Sequence, residues 1–234
     1  ALSVPCYSGS NGSSARRSTS AEHRGRAGAS VSVAPPVNRD RVESVRRMPA
    51  AKLRILEAAT ALFSQEGIRA VGVDRLIQQS SVTKATFYKH FGSKDRLIRD
   101  YLTAASAHDL TELDRLIHSS DSPHAGLAAI VDAVHEALHD DSFRGSLFVN
   151  AAAEFPDPRD PVRVIIAEHH EAIASRMTEL LQRIGHPLPG EAADQLMVAY
   201  VGALSWGHVG DPVGASIAFR RSVERVLDAR ELVA

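Results

Sequence analysis

The sequence has a single cysteine, Cys6, so no disulfide can close within the chain and no cysteine-built metal site can form. A reducing setting follows, and the sequence places the protein in the cytoplasm. No apolar run approaches the roughly 18 residues of a membrane span, so no membrane partner is expected. Signatures of common chemistry are missing too. There is no GxSxG, no GxGxxG and no glycine loop that would cradle a phosphate. The histidines do not form HExxH, since the local order is Glu168-His169-His170-Glu171. His135 and His139 are four apart on a helical pattern, but nothing supplies a third metal ligand. An enzyme therefore has no support in the sequence, and neither a cofactor nor a metal is expected. No run alternates with period two, which excludes strands as the main element.

What is present is a globular composition, 44% apolar and 24% charged over 234 residues, with a formal charge of -1. That near-zero total conceals a strong polarity. Residues 1–50 carry +5, residues 51–99 carry another +5, and residues 100–234 carry -11 with no lysine at all. A basic front half implies an anionic partner for that half. Solvated charge segregated by chance is the competing reading.

Residues 1–36 are rich in Ser, Gly, Ala, Arg and Pro and hold almost no large apolar side chains. Such a stretch cannot bury enough surface to offset chain entropy, so residues 1–50 are expected to be a disordered tail. Its pairs Arg16-Arg17 and Arg46-Arg47 suit nonspecific contact with phosphate. Met48 directly precedes the first helical pattern, which admits a second reading in which the native chain starts there.

From Lys52 to Glu66 the apolar residues Leu53, Ile55, Leu56, Ala59, Leu62 and Phe63 share one stripe, and Gly67 supplies a stop. A short second helix is predicted over 73–79. Ser80-Ser81-Val82 interrupts the pattern, and a third helix opens near Thr83 and closes before Gly92. Ser93 is placed to cap a long fourth helix. Two short helices joined by a tight turn, with another before them, form a helix-turn-helix layout. The third helix carries hydrogen-bond donors on one face and Phe87 and Phe91 on the other. A helix laid in the major groove of DNA needs that division.

The residues then become specific. Val71-Gly72-Val73-Asp74-Arg75-Leu76-Ile77, Ser81-Val82-Thr83-Lys84-Ala85-Thr86-Phe87-Tyr88-Lys89-His90-Phe91 and Ser93-Lys94-Asp95-Arg96-Leu97 together resemble the TetR family of bacterial transcriptional regulators. The resemblance spans residues 51–102. It departs from the family at Ser81, where glycine is usual, and at Gly72, where a Ser or Thr cap is common. It implies an all-α protein of about nine helices. Residues 51–99 would be the helix-turn-helix DNA-binding domain and residues 100–234 a ligand-binding and dimerisation domain. It also implies that Thr83, Lys84, Thr86, Tyr88, Lys89 and His90 face DNA, and that Lys94 grips phosphate. The implied function is a ligand-responsive regulator, most simply a repressor. It would bind a near-palindromic operator as a homodimer and be released by a small molecule. An activator of the same fold, or a helical adaptor without specific DNA binding, are the alternatives.

Beyond residue 100 three helix starts show a polar cap followed by proline: Ser122-Pro123, Asp160-Pro161 and Asp211-Pro212. Helices are predicted over 94–118, 123–139, 143–154, 161–184, 190–207 and 212–231. The last two carry Leu196, Tyr200 and Leu204, then Val223 and Leu227, at helical spacing. They are the expected dimer interface, with two helices from each subunit in a four-helix bundle. A ligand pocket is expected among the fourth to eighth helices, with Tyr101, His108, Phe143, Phe148, Asn150, His169, Met177 and Trp206 as candidate lining residues. The acidity of the region gives a slight preference for a cationic or neutral apolar ligand.

Overall fold

A computed structural model of the chain describes residues 48–228; of the tail expected over 1–50, residues 1–47 lie outside the described residues, and Ala50 already belongs to the first helix. Among the described residues there are nine helices and no strand. They are α1 (Ala50–Glu66), α2 (Val73–Ser80), α3 (Lys84–Phe91), α4 (Lys94–His118), α5 (Pro123–Leu138), α6 (Leu147–Glu154), α7 (Pro161–Ile184), α8 (Pro189–Val209) and α9 (Pro212–Asp228).

The helix starts at Ser93, Ser122 and Asp160 follow the local chemistry read from the sequence, and Thr83, expected as a DNA contact, is a cap as well. Thr83, Ser93, Ser122 and Asp160 each precede a helix and accept a backbone N–H with the side chain, from Thr86, Arg96, Ala125 and Val162 respectively. Such a cap satisfies a donor that the first helical turn leaves free. Pro123, Pro161 and Pro212 open α5, α7 and α9, as the three cap-proline pairs predict. One segment starts later than expected. The predicted helix from 143 begins only at Leu147, because Gly145 takes φ +81° and Ser146 caps the helix through the N–H of Val149.

Two apolar cores are built from these elements. The first gathers Ile55, Ala59, Phe63, Leu76, Phe87, Phe91, Leu97 and Tyr101 from α1–α4, and extends to Phe148, Ala151, Val162 and Ile166 of α6 and α7. The second gathers Leu113, Leu127, Val134, Ile173, Met177, Leu196, Leu204 and Phe219 from α4, α5 and α7–α9. Helix α4 runs unbroken through both, so the boundary expected at residues 99 and 100 falls within a continuous 25-residue helix.

The dimer expectation needs a correction in residue detail. Leu196, Tyr200, Leu204 and Val223 are buried within the protomer, Leu204 to 1% exposure, and Leu227 packs partly buried against the same core. They offer a partner little or no surface. The apolar surface of α8 and α9 lies on the other side, where Val198 and Trp206 are 76% and 58% exposed and Val209, Val213 and Ile217 are exposed with them. Helix α8 carries two apolar stripes, and periodicity alone does not say which one the fold turns inward.

Candidate nucleic-acid interface

The α2–α3 turn sets the site. Ser81 ends α2 in the left-handed conformation at φ 53°, the one described non-glycine residue with positive φ. Its N–H donates to Gln78 O, and Val82 N–H donates to Ile77 O, so the turn closes on the last carbonyls of α2. Helix α3 then stands on two anchors, since Phe87 and Phe91 are fully buried with ring centroids 6.0 Å apart.

The opposite face of α3 carries the predicted contacts. Lys84 is 68% exposed and its Nζ lies 3.7 Å from the Asp74 carboxylate at the start of α2. An ion pair so exposed is weak, and its lysine stays available to a stronger anion. Tyr88 is exposed and meets Phe87 edge-on at 5.4 Å. Lys89 is exposed and His90 half-buried in the last turn. Thr83 and Thr86 are committed to each other. Thr83 Oγ1 accepts from Thr86 N–H at 3.2 Å and lies 2.8 Å from Thr86 Oγ1. Their first duty is therefore to start the helix.

Lys94 stands apart from this face. Its Nζ donates to the carbonyl of Arg69 at 3.1 Å, across the corner between α1 and α2. Burial lowers its pKa, Glu154 and Asp95 work in the opposite direction, and Arg69 adds to the lowering. An ammonium has further donors to spare, so the sequence-predicted phosphate contact and the corner contact are compatible.

The same corner holds residues that sequence reasoning did not single out as functional. The Glu154 carboxylate, at the end of α6, accepts Ile68 N–H at 2.9 Å and Arg69 N–H at 2.6 Å. Arg69 returns the contact by donating Nη1 to the Glu154 carbonyl at 3.0 Å, and its guanidinium lies 5.9 Å from the Phe155 ring. Gly67 turns the chain into this corner at φ +87°, a conformation that side-chain-bearing residues rarely adopt. Charge-assisted hydrogen bonds of this kind are among the stronger ones available to a protein. They fasten the three-helix head to the C-terminal helices. The only signal in the sequence was a carboxylate at the end of an apolar segment.

The expected ligand pocket divides. Tyr101, Phe143, Phe148, His169 and Met177 are buried. Tyr101 packs edge-on against Phe63 in the first core, 5.3 Å between ring centroids, whereas Phe143 and Met177 belong to the second. His169 lies stacked on Phe148 at 3.6 Å and shares a hydrogen bond between its Nδ1 and Ser106 Oγ at 3.1 Å. Burial first, then His170 and Arg176, lower its pKa to about 3, so the ring is neutral. His108, Asn150 and Trp206 are exposed and do not line an interior pocket. Asn150 instead donates to the Arg144 carbonyl at 2.9 Å. Two open clefts elsewhere hold none of the expected residues. One of about 380 Å³ lies between α8 and α9 at His186, Leu188 and Arg225, and one of about 200 Å³ lies at Asp114, Arg176 and Arg183.

The His135 and His139 rings lie 4.2 Å apart. Their Nδ1 atoms are engaged with Ser216 Oγ and with the His135 carbonyl. Among the described residues no group of three or more His, Cys, Asp or Glu is placed to hold a metal ion. No described helix is long and apolar enough to cross a membrane.

Comparison with known proteins agrees with this geometry. Residues 55–101 match the family model described as bacterial regulatory proteins, tetR family. The crystal structure of SCO4454, a TetR-family transcriptional regulator from Streptomyces coelicolor, superposes with a TM-score of 0.73 at 34% identity, covering 77% of this chain and 95% of that one. A structure of sav143 from Streptomyces avermitilis, 24% identical with a TM-score of 0.69 over 77% of this chain and 98% of its own, shares the fold. Among curated relatives, the HTH-type transcriptional repressor Rv3405c of Mycobacterium tuberculosis is 36% identical over 78 residues. That match spans 32% of this chain and 39% of the relative.

Proposed function

Because the chain belongs to the TetR family of bacterial regulatory proteins, we propose that it represses transcription as a homodimer on a near-palindromic operator, and that a small molecule releases it. Residues 51–99 are the DNA-binding unit in this reading and the helices beyond them the effector and dimerisation unit. The observation that carries it is α3: an exposed face of Lys84, Tyr88 and Lys89 set on the buried pair Phe87 and Phe91, just after the tight turn at Ser81. Donors so placed reach phosphates and base edges when the helix enters the major groove. The sign of regulation follows the name of the repressor relative.

The exposed apolar side of α8 and α9 is the surface on which two protomers would join. Val198 and Trp206 lie two turns apart on one line, with Gly202 open between them. An apolar strip of this kind on a water-soluble surface favours a partner, and a second copy gives the two-fold symmetry that a palindrome requires. Two recognition helices about 34–36 Å apart would then enter successive major grooves.

Release needs a link from effector to DNA, and the Glu154 corner supplies the contacts for one. Helix α6 bears Phe148, stacked on His169, at one end and Glu154 on the Arg69 corner at the other. An effector that binds one arrangement of α6 about 100-fold more tightly than another shifts the equilibrium by roughly 2.7 kcal/mol. Fluorescence anisotropy with DNA from upstream of the protein's own coding region, at two salt concentrations and against a scrambled duplex, tests the reading. Tight, salt-sensitive binding to the first and weak binding to the second is expected. Equal weak binding to both, extended to genome-wide fragments, would favour the adaptor alternative.

A further inference from the structure

Every fourth residue of α4 from Tyr101 faces inward, and Tyr101, Ala105, Asp109 and Leu113 are all buried. Three of these are what an amphipathic helix turns to a core. The fourth is a carboxylate, 7% exposed. Asp109 stands at the seam between the two cores, one turn beyond Ala105 of the first and one turn before Leu113 of the second. Its charge is felt by the buried phenols of Tyr101 and, from α8, Tyr200. The rings of those two tyrosines are held edge-on by Phe63 and by Phe219.

Neither the carboxylate nor either phenol oxygen has a hydrogen-bond partner among the described residues. No sealed side-chain oxygen or nitrogen there lacks a partner. These four oxygens, two of the carboxylate and one of each phenol, are therefore not sealed into apolar packing, and each keeps some accessible surface. A buried carboxylate with no hydrogen bond is costly, and burial, the largest influence, pushes Asp109 up to about 7.

We propose that this seam receives the positively charged end of the effector, an organic amine or quaternary ammonium ion, with Asp109 as its counter-ion and the Tyr101 and Tyr200 side chains beside it. The proposal rests on the reading of the C-terminal helices as an effector domain, and it names the chemical class of the ligand. A cation gains from the carboxylate at short range and from the electron-rich ring faces of tyrosine. An anion is repelled by the same carboxylate, and a neutral molecule of equal shape leaves it without a counter-charge. The net charge of -11 over residues 100–234 favours the approach of cations from solution.

The test is calorimetric titration of the full-length protein, without DNA, with three pairs of probes of similar shape. These are n-hexylammonium against 1-hexanol, benzyltrimethylammonium against neopentylbenzene, and tetraphenylphosphonium against tetraphenylborate. At least one cation is expected to bind tenfold or more tightly than its twin. Asp109→Asn should remove that preference and Asp109→Glu should keep it. Asp109→Ser gives the same comparison if the asparagine variant does not fold. The proposal is overturned if no cation exceeds its twin, or if the neutral variant binds cations as the wild type does. Operator binding is measured separately by anisotropy, so a protein that takes the cation but ignores DNA sinks the regulator reading and leaves the cation site standing.

Discussion

Glu154 holds the backbone N–H of Arg69 at 2.6 Å across 85 residues of chain, and through that contact the last turn of α6 grips the head of the molecule. Glu154→Ala leaves the N–H groups of Ile68 and Arg69 without their acceptor, and a stability loss of about 1–3 kcal/mol is expected. The more telling readout is coupling. DNA binding should persist while the response to effector shrinks at least tenfold, measured by anisotropy with and without ligand. Glu154→Gln keeps one acceptor oxygen and should fall between the two. An alanine variant with an unchanged effector response would show that signal passes elsewhere.

Lys84 and Tyr88 are exposed and support no core, so changing both to alanine should leave helicity and the oligomeric state intact. Each DNA contact of this type is worth about 1–3 kcal/mol, so a loss of roughly 100-fold or more in operator affinity is expected. Losing the lysine should also reduce the salt slope by about one. Circular dichroism and a salt series of binding isotherms check the two halves of this prediction.

Ser81 sits at φ 53° where glycine would rest without strain. Ser81→Gly should raise stability by about 1 kcal/mol. Gly72 precedes α2 with no side-chain cap and with open space around its Cβ position. Gly72→Ser should add a few tenths of a kcal/mol by capping the helix. Denaturant midpoints measured at equal slope would reveal both gains, and a loss at either position would contradict the backbone geometry.

The two faces of α8 predict opposite phenotypes. Trp206→Glu places a charge on the exposed strip and should yield a folded monomer in sedimentation velocity. Leu204→Ala creates a cavity in the core and should cost about 2–5 kcal/mol while leaving the dimer contacts in place. A dimeric Trp206→Glu protein would remove that strip from the interface.

Asp109 makes stability depend on pH in a definite direction. Its value in the folded protein, about 7, is raised above the unfolded one, so the folded state favours the protonated acid. Its contribution is fully present below about pH 4 and is lost as pH rises through 7, by up to ~4 kcal/mol in all. The lowered values of His169 and His170 act in the opposite sense and cancel in a comparison of variants. Asp109→Asn should therefore gain on the wild type between pH 5 and pH 8, followed as the difference in Tm. A gap that stays constant with pH would place the carboxylate in water.

The head of the molecule was legible because its signals are local. Ser93 caps the helix it precedes, as Ser122 and Asp160 do beyond the head, and Phe87 and Phe91 alternate with donors inside a single eight-residue helix. The remainder depends on which way a helix turns. Leu196 and Val198 are two residues apart and equally apolar, yet one is buried and the other exposed. His108 and Asp109 are neighbours, and the exposed one was the sequence candidate. An acid in an apolar stripe was the available clue to Asp109. Glu154 left only the trace of a charge at a helix end, because its partners are backbone groups, which carry no sequence signal.

The absence of lysine beyond residue 94 has a practical corollary for chemical footprinting. All four lysines, Lys52, Lys84, Lys89 and Lys94, lie in the basic head. Two of them are held closely, Lys52 by Asp100 at 3.0 Å and Lys94 by the Arg69 carbonyl at 3.1 Å, whereas Lys84 has only its exposed 3.7 Å pair with Asp74. Apart from the chain's terminal amine, an acylating reagent thus meets its most open targets at Lys84 and Lys89 on α3. A bound duplex would shield these two first, so their acylation rate becomes a built-in reporter of whether the recognition helix is occupied, with no label added to protein or DNA.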